Sequence, residues 1–262
     1  MAATDLPARI TGIYRYPVKG LTPEQLGHAE LKPGQTLLAD RRYAIENGPS
    51  GFDPAAPKWL PKPHFLMLMR DEWLAGLRSH FDDASNVLSI SHSGRIVAEG
   101  DLSTPEGRRT IAHFFTSAHA GQIKGPPKLL ESSGHSFSDV ARKVVSIINL
   151  ASVRAIETMV GAPVHPLRFR ANLYVEGWPA WHEFDLLDRT LAIGDVRLKV
   201  VKRIVRCAAV NVDPDTAARD LAIPQALQRG LGHADCGIYA EVIEGGTIRT
   251  DDTIAAEQPA LL

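Results

Sequence analysis

The chain has only two cysteines, Cys207 and Cys236, among its 262 residues. Two thiols are too few for a disulfide framework, a four-cysteine iron–sulfur cluster or an all-cysteine zinc site. No apolar stretch approaches the roughly 20 residues that a membrane span requires, and the start of the chain lacks the basic residues and apolar core of a signal peptide. These absences predict a cytoplasmic protein without a membrane partner, in which any redox reaction takes its electrons from outside the chain.

The chain also lacks an excess of charge, because its formal net charge is −1 and its lysines and arginines are scattered. A nucleic-acid-binding protein usually shows a basic cluster, so we expect no nucleic-acid partner. No Gly-x-Ser-x-Gly, phosphate-loop or dinucleotide fingerprint occurs, and no His-x-x-x-His pair. A standard hydrolase or nucleotide-binding protein is therefore not indicated.

What the chain does have is short apolar segments separated by 18 prolines and 21 glycines. Alternating or β-branched residues predict strands at 9–16, 168–175 and 196–212, and a hairpin over 87–99 that turns at a Ser-Gly pair. Apolar residues at helical spacing predict an amphipathic helix over 65–81. Many strands with short connections favour a barrel or another closed sheet.

Capping residues indicate where two helices begin. Ser103 with Glu106 predicts a capping box before one helix. Ser152 predicts the start of a second, short helix that ends at Gly161. The stretch 121–139, rich in Gly, Pro and Ser, lies between them and predicts a boundary between two domains. We place those domains at residues 1–125 and 126–262.

Side chains that alternate along the predicted strand 168–175 suggest one polar face. Arg168, Arg170 and Asn172 would then project to the same side. Guanidinium groups match phosphate or carboxylate oxygens bidentately, so this face is a candidate wall for binding an anion. A solvent-exposed sheet face explains the same pattern equally well.

The surroundings of Cys207 leave more than one interpretation open. A free cysteine is often a small buried apolar residue. Nearby cations, here Arg203 and Arg206, favour instead the thiolate that acts as a nucleophile or metal ligand. A zinc site with His233 and Cys236 has permissible spacing but no evident fourth ligand.

Seven short segments, spread over most of the chain, form one recognisable set. The most specific part is Arg-x-Asn, then Ile-Gly-Asp, then Arg-Cys followed by Asp-Pro-Asp-Thr. This set resembles the MOSC proteins, a family named for the C-terminal domain of molybdenum cofactor sulfurase, and in particular the mitochondrial amidoxime-reducing component and its bacterial relatives. The segments are YPVKG (16–20), DRRY (40–43), FSD (137–139), RFRANLYVEG (168–177), LAIGDVRLKVVKRIVRC (191–207), VDPDT (212–216) and GIYAEVIEGGTI (237–248).

The resemblance implies a ligand for molybdenum. In such proteins the cysteine matching Cys207 binds the metal through its thiolate, beside the dithiolene sulfurs of a pyranopterin. A soft thiolate suits that metal, and the adjacent Arg206 fits the charge requirement. The other residues that the resemblance assigns to the cofactor are Lys19, Arg41, Arg170 and Asn172 for its phosphate and pterin, Asp139 for the pterin, and Tyr239 as an aromatic residue near the site.

The resemblance also implies a fold and a reaction. The expected fold is α+β, mainly a MOSC β-barrel with an N-terminal MOSC-associated β-rich domain and a few peripheral helices. The expected protein is a molybdenum cofactor-dependent oxidoreductase that reduces small N-hydroxylated or N-oxide molecules with electrons from a separate ferredoxin- or flavoprotein-type donor. The alternative is a cofactor or sulfur carrier that uses a Cys207 persulfide without small-molecule turnover.

Several positions depart from the pattern of these relatives. Arg42 displaces the aromatic residue that commonly follows their Asp-Arg pair, and Ser138–Asp139 aligns only approximately. Gly20 stands where the amidoxime-reducing relatives usually have Ser, and the loop around residues 48–65 does not match theirs. The Gly20 departure leaves a third interpretation open, in which the site is degenerate and empty. Since such loops border the substrate opening, the departure at 48–65 bears most on the range of substrates.

Overall fold

The computed structural model describes residues 6–257, in which seven strands close into a barrel. The strands are β1 (Ala8–Arg15), β2 (Glu24–Leu26), β3 (His28–Leu31), β4 (Tyr43–Ile45), β5 (Leu77–Asp82), β6 (Val87–His92), β7 (Arg95–Asp101), β8 (Leu129–Glu131), β9 (Val145–Asn149), β10 (Leu173–Glu176), β11 (Thr190–Ile193), β12 (Val196–Val205), β13 (Asp235–Glu244), β14 (Gly246–Arg249) and β15 (Thr253–Ala256). The barrel order is β10, β9, β13, β12, β11, β15 and β1, and β1 pairs with β10 to close it. The expectation of a barrel is confirmed.

Among the described residues, three α-helices lie outside the barrel: α1 (Pro105–His119), α2 (Leu150–Val160) and α3 (Ile223–Leu231). Helix α2 connects β9 to β10, the one parallel pair recorded in the barrel as described over residues 6–257. Parallel strands need such a crossover, because a tight turn joins only antiparallel neighbours. No helix within 6–257 combines the length and the apolar character needed to cross a bilayer.

Alternating side chains fill the barrel. Along β12, Val196, Leu198 and Val200 are buried, while the residues between them are partly exposed. Because successive side chains of a strand point to opposite faces, this alternation turns one face toward a shared apolar interior. The neighbouring strands contribute Ile238 and Ala240 to the same core.

A second core belongs to the N-terminal half of the chain. Strands β5, β6 and β7 form an antiparallel sheet, and Ile111 and Phe115 of α1 are buried in the core beneath it. β4 pairs with β8, and β1 lies in the barrel itself. The α+β class with a β-rich N-terminal part is therefore confirmed, while the exact division at residues 125 and 126 stays a prediction.

The prediction of a helix over 65–81 is wrong. Its residues form a short 3₁₀ helix at Glu72–Gly76 and then β5, which pairs with β6. Leu77 and Phe81 are both buried, and a spacing of four residues satisfies the helical period and the strand period alike. The segment forms a strand and not a helix because it pairs with β6, and the sequence of the segment alone does not reveal that pairing.

Both predicted helix caps are displaced. The side chain of Thr104, not Ser103, accepts a hydrogen bond from the Gly107 amide at the start of α1, 3.0 Å away. Asn149, not Ser152, caps α2. The predicted end of α2 is confirmed, because Gly161 adopts φ +70°, in the left-handed region where glycine is favoured.

Candidate functional site

A cavity of about 250 Å³ lies where loops of the N-terminal half meet the barrel. Its walls contain two acidic side chains, Asp40 and Asp139, and a larger set of basic ones. Such an excess of positive charge in a cleft attracts an anion. The eight basic residues are Lys19, Arg41, Lys62, Arg168, Arg170, Lys202, Arg203 and Arg206.

Cys207 lies in the wall of this cavity and is half-buried. The sequence predicted a strand through this residue, which is wrong: β12 ends at Val205 and a 3₁₀ helix begins at Ala208. The thiol therefore stands in the bend that follows the strand. Arg170 and Lys19 line the same cavity, so the structure brings the predicted cysteine and its predicted cationic partners together.

Lys19 and Asp139 form an ion pair inside the cavity. The Lys19 ammonium also donates to the carbonyl oxygen of Phe137 at 2.8 Å. Burial lowers the pKa of Lys19 even though Asp139 opposes the change. Burial alone would raise the pKa of Asp139, but the charges of Lys19 and Lys62 outweigh it and hold that pKa well below its usual range.

Sequence reasoning missed Lys62. Its ammonium lies 3.5 Å from the other Asp139 oxygen, and the residue lines the same cavity as Cys207. Burial acts to lower the pKa of Lys62, but Asp139 and the Cys207 side chain outweigh it, so the pKa is raised. The only sequence signal was a lysine between two prolines in an irregular loop, and that pattern has no periodicity.

Arg41 and Arg170 meet at one side of the cavity. The Arg41 guanidinium binds Asp40 at 2.7 and 2.6 Å and donates to the Arg170 carbonyl at 2.8 Å. Burial acts to lower the pKa of Arg41, but the Asp40 carboxylate outweighs it and raises that pKa. Within residues 6–257 no hydrogen bond from the Arg170 guanidinium is found, and burial lowers its pKa to about 10.

Arg168 does not share a wall with Arg170 in the way the strand pattern predicted. Its backbone belongs to a 3₁₀ helix at Pro166–Phe169, and Arg170 then adopts φ +52°. The Arg168 guanidinium binds Asp213 at 2.7 Å and Asp220 at 2.8 and 2.9 Å. Its charge is thus neutralised by protein carboxylates, and the predicted alternation over 168–172 is wrong.

Asn172 lines the cavity although it is almost fully buried. Its side-chain oxygen accepts hydrogen bonds from the Ser146 amide at 3.1 Å and hydroxyl at 2.8 Å. Its side-chain nitrogen donates to the Tyr14 carbonyl at 3.1 Å. The amide joins three parts of the barrel wall and has one remaining hydrogen to offer a ligand.

Arg206 and Tyr239 complete the predicted set. The Arg206 guanidinium donates to the Cys236 carbonyl at 2.7 and 2.5 Å and to the Phe169 carbonyl at 2.9 Å. Tyr239 lies on β13, and burial raises its pKa. Both line the cavity, so all eight residues assigned from the sequence meet there. Their roles toward a cofactor stay predictions.

The structure bears on two interpretations that the sequence left open, namely the zinc site and the degenerate site suggested by Gly20. No group of three or more His, Cys, Asp or Glu side chains within 6–257 is placed to hold a metal ion, which removes the zinc interpretation. Gly20 adopts φ +87°, and a Cβ there would lie 3.0 Å from the Leu66 carbonyl oxygen. The backbone therefore favours glycine here, which gives this departure from the relatives a local structural reason.

Comparison with models of known protein families shows which family the chain belongs to. A model described as the MOSC domain matches residues 119–255, more than half of the chain. The chain belongs to the MOSC family. A second model, the MOSC N-terminal beta barrel domain, matches residues 7–126. The resemblance inferred from the sequence motifs is confirmed.

Individual relatives of this MOSC protein share low sequence identity with it. Molybdenum cofactor sulfurase of Caenorhabditis elegans is 25% identical over 244 residues, covering 88% of the chain and 33% of the relative. The homologue from Caenorhabditis briggsae is 28% identical over 175 residues, 60% of the chain and 24% of the relative. The chain thus spans a third or less of these relatives. Among solved structures, the YUAD protein from Bacillus subtilis aligns with a TM-score of 0.43 at 14% identity, covering 96% of this chain and 97% of that one.

Proposed function

We propose that this MOSC protein binds the molybdenum cofactor in the basic cavity, with Cys207 as the metal ligand. We further propose that it reduces N-hydroxylated or N-oxide small molecules, using electrons from a separate ferredoxin- or flavoprotein-type donor. One observation carries the proposal: the half-buried thiol of Cys207 shares a cavity with eight basic side chains. Relationship to molybdenum cofactor sulfurase supports the choice of cofactor.

The residues present fit that cofactor in charge and in donor chemistry. A thiolate is a soft ligand of the kind that transition metals bound to sulfur accept. The cofactor's phosphate is anionic, and Arg170 offers a guanidinium with no protein hydrogen bond among the described residues. A buried cation without an anionic partner is costly, so a site of this kind is stabilised when an anion binds.

Each cavity residue has a distinct task in this proposal. Cys207 would ligate the metal, while Arg170 and Arg41 would bind the phosphate and pterin. Asp139 keeps the Lys19 ammonium aimed into the cavity through their ion pair. Lys62 would offset negative charge beside the Cys207 sulfur. When bound, the cofactor would supply the two-electron redox chemistry that no side chain of this protein provides.

The proposed reaction balances with an external donor. Reduction of an N-hydroxylated or N-oxide substrate breaks the N–O bond, consumes two electrons and two protons, and releases water. The electrons would come from the donor protein, because two cysteines cannot hold a four-cysteine cluster. Substrate would reach the site from the side on which Cys207 is exposed.

The metal content of two alanine variants tests the proposal. The protein, Cys207→Ala and Cys236→Ala are purified from a host that makes molybdopterin, and bound molybdenum is measured by elemental analysis. We expect the wild type and Cys236→Ala to carry similar metal and Cys207→Ala to carry almost none, because Cys236 is fully buried. Equal metal in both variants would remove Cys207 as the ligand.

Turnover separates the enzyme from the carrier. N-hydroxylated benzamidine is offered with an artificial electron donor, and formation of the amidine is followed. We expect turnover by the wild type and loss of turnover in Cys207→Ala. Bound molybdenum without turnover, together with cyanide-releasable sulfur on Cys207, would instead favour the sulfur-carrier alternative.

A further inference from the structure

We propose that Tyr16 is a positioning residue that holds Arg41 and Arg170 together as one anion clamp. The carbon at the centre of each guanidinium lies 4.3 Å from the centroid of the Tyr16 ring. Tyr16 is fully buried and does not line the cavity. It therefore acts on a ligand only through the two arginines. This inference rests on the proposed function for the identity of the ligand, but not for the presence of an anion site.

The two arginines need such a support because their charges repel. Asp40 binds Arg41, whereas no carboxylate within residues 6–257 binds Arg170. An aromatic ring presents a negative face, and a cation over that face is attracted to it. One ring in contact with both guanidiniums thus offsets part of their repulsion and fixes their separation.

The backbone of both arginines is strained in the same way. Arg41 has φ +49° and Arg170 has φ +52°, values that residues with a side chain adopt at a cost. The Arg41 guanidinium donates to the Arg170 carbonyl, and the Arg41 amide donates to the Tyr16 carbonyl at 2.7 Å. Strain that surrounding contacts maintain at two adjacent cavity residues indicates that their orientation matters for binding.

The ring, and not its hydroxyl, carries this role. The Tyr16 hydroxyl is buried and has no hydrogen-bond partner among the described residues, although the Tyr174 side chain is nearby. Removing an unpaired buried hydroxyl costs little, whereas removing the ring removes the attraction for both cations. Tyr16→Phe should therefore behave as the wild type, and Tyr16→Leu should not.

Binding of inorganic phosphate to the cofactor-free full chain tests the inference. Protein is prepared from a host that cannot make molybdopterin, and the melting temperature is titrated with phosphate against sodium chloride of equal ionic strength. We expect Tyr16→Phe to match the wild type and Tyr16→Leu to bind roughly tenfold more weakly or worse. Arg170→Met, the control, should lose the phosphate effect.

A fluorinated series covers the case in which Tyr16→Leu fails to fold. Phenylalanine and its mono-, di- and trifluoro derivatives are placed at position 16, which preserves shape while weakening the negative ring face. We expect phosphate affinity to fall stepwise with fluorination. The inference is overturned if phosphate affinity does not change with fluorination or is the same in Tyr16→Leu as in the wild type. It is also overturned if Arg170→Met leaves phosphate affinity unchanged, or if the wild type binds no phosphate. Failure of the proposed function appears separately, as wild-type protein that binds phosphate but no molybdenum.

Discussion

Two arginines close together in the chain, Arg168 and Arg170, and the two cysteines differ in what surrounds them. Arg170 and Cys207 line the cavity, and the Arg170 guanidinium makes no hydrogen bond to a described protein group. Arg168, two residues earlier, is held by Asp213 and Asp220. Cys236 is fully buried on β13, and burial raises the pKa of its thiol to about 12.

This comparison separates side chains that protein groups hold in place from side chains that line the cavity without a bound protein partner. A buried arginine with its own carboxylates contributes to folding but has little left to offer an anion. An arginine without them lowers stability until a partner binds. Residue type alone does not distinguish these two roles, whereas the charged groups around each arginine do distinguish them.

Substitution of the two arginines should give the largest contrast in stability. Arg168→Met leaves the Asp213 and Asp220 carboxylates without the guanidinium that binds both of them, and we expect a loss of about 3 kcal/mol in the free energy of unfolding. Arg170→Met removes a partly buried cation to which no described carboxylate is bound, so its stability should stay within about 1 kcal/mol of the wild type. Urea unfolding measures both. Similar losses in the two variants would contradict the comparison.

Asp139→Asn tests the ion pair within the cavity and should have a smaller effect. Lys19 loses its carboxylate, but Asp139 is 47% exposed, so solvent screens the pair and we expect a loss of about 1 kcal/mol at pH 6. The folded-state pKa of Asp139 is depressed, so its contribution is present above about pH 4 and is lost as pH falls further. Urea unfolding at pH 6 and pH 3 should therefore show a shallower acid dependence in the variant. An unchanged acid dependence would contradict this role for Asp139.

The smallest effect concerns the interior cysteine at alkaline pH. The pKa of Cys236 rises from 9.0 to about 12 on folding, so its contribution is complete below pH 9 and is lost between pH 9 and 12. Between pH 7 and pH 9.5 the wild type should lose about 0.8 kcal/mol more stability than Cys236→Ala. Chemical unfolding of both proteins across this pH range measures the difference. If the free energies of unfolding of the wild type and Cys236→Ala fall in parallel with pH, the Cys236 thiol is not buried in solution.

Local features of the sequence predicted much of the fold. The hairpin over 87–99 was predicted correctly, since Ser93 and Gly94 adopt φ +50° and +75° between β6 and β7, as a tight hairpin turn requires. The motif set also identified Lys19, Arg170 and Cys207, which line one cavity although they are far apart in the chain. Short motifs can identify such residues because each motif includes the turn or strand that positions its own side chain.

The remaining features depend on contacts between distant residues. Arg168 and Arg170 were expected on one face, but a 3₁₀ turn and carboxylates 45 and 52 residues away separate their roles. Lys62 enters the cavity because its loop lies across Asp139, 77 residues later. Periodicity and propensity describe neighbours along the chain, so neither could predict these contacts.

The pairing of β1 with β15 has a consequence for synthesis of the protein. The first and the last of the described strands lie side by side, at Ala8 opposite Ile254. On the ribosome, part of one edge of β1 stays unpaired until β15 has emerged. Arrested chains that end before residue 253 should hold an open barrel, which an added protease would cut near β1, whereas chains long enough to expose β15 outside the ribosome should be spared.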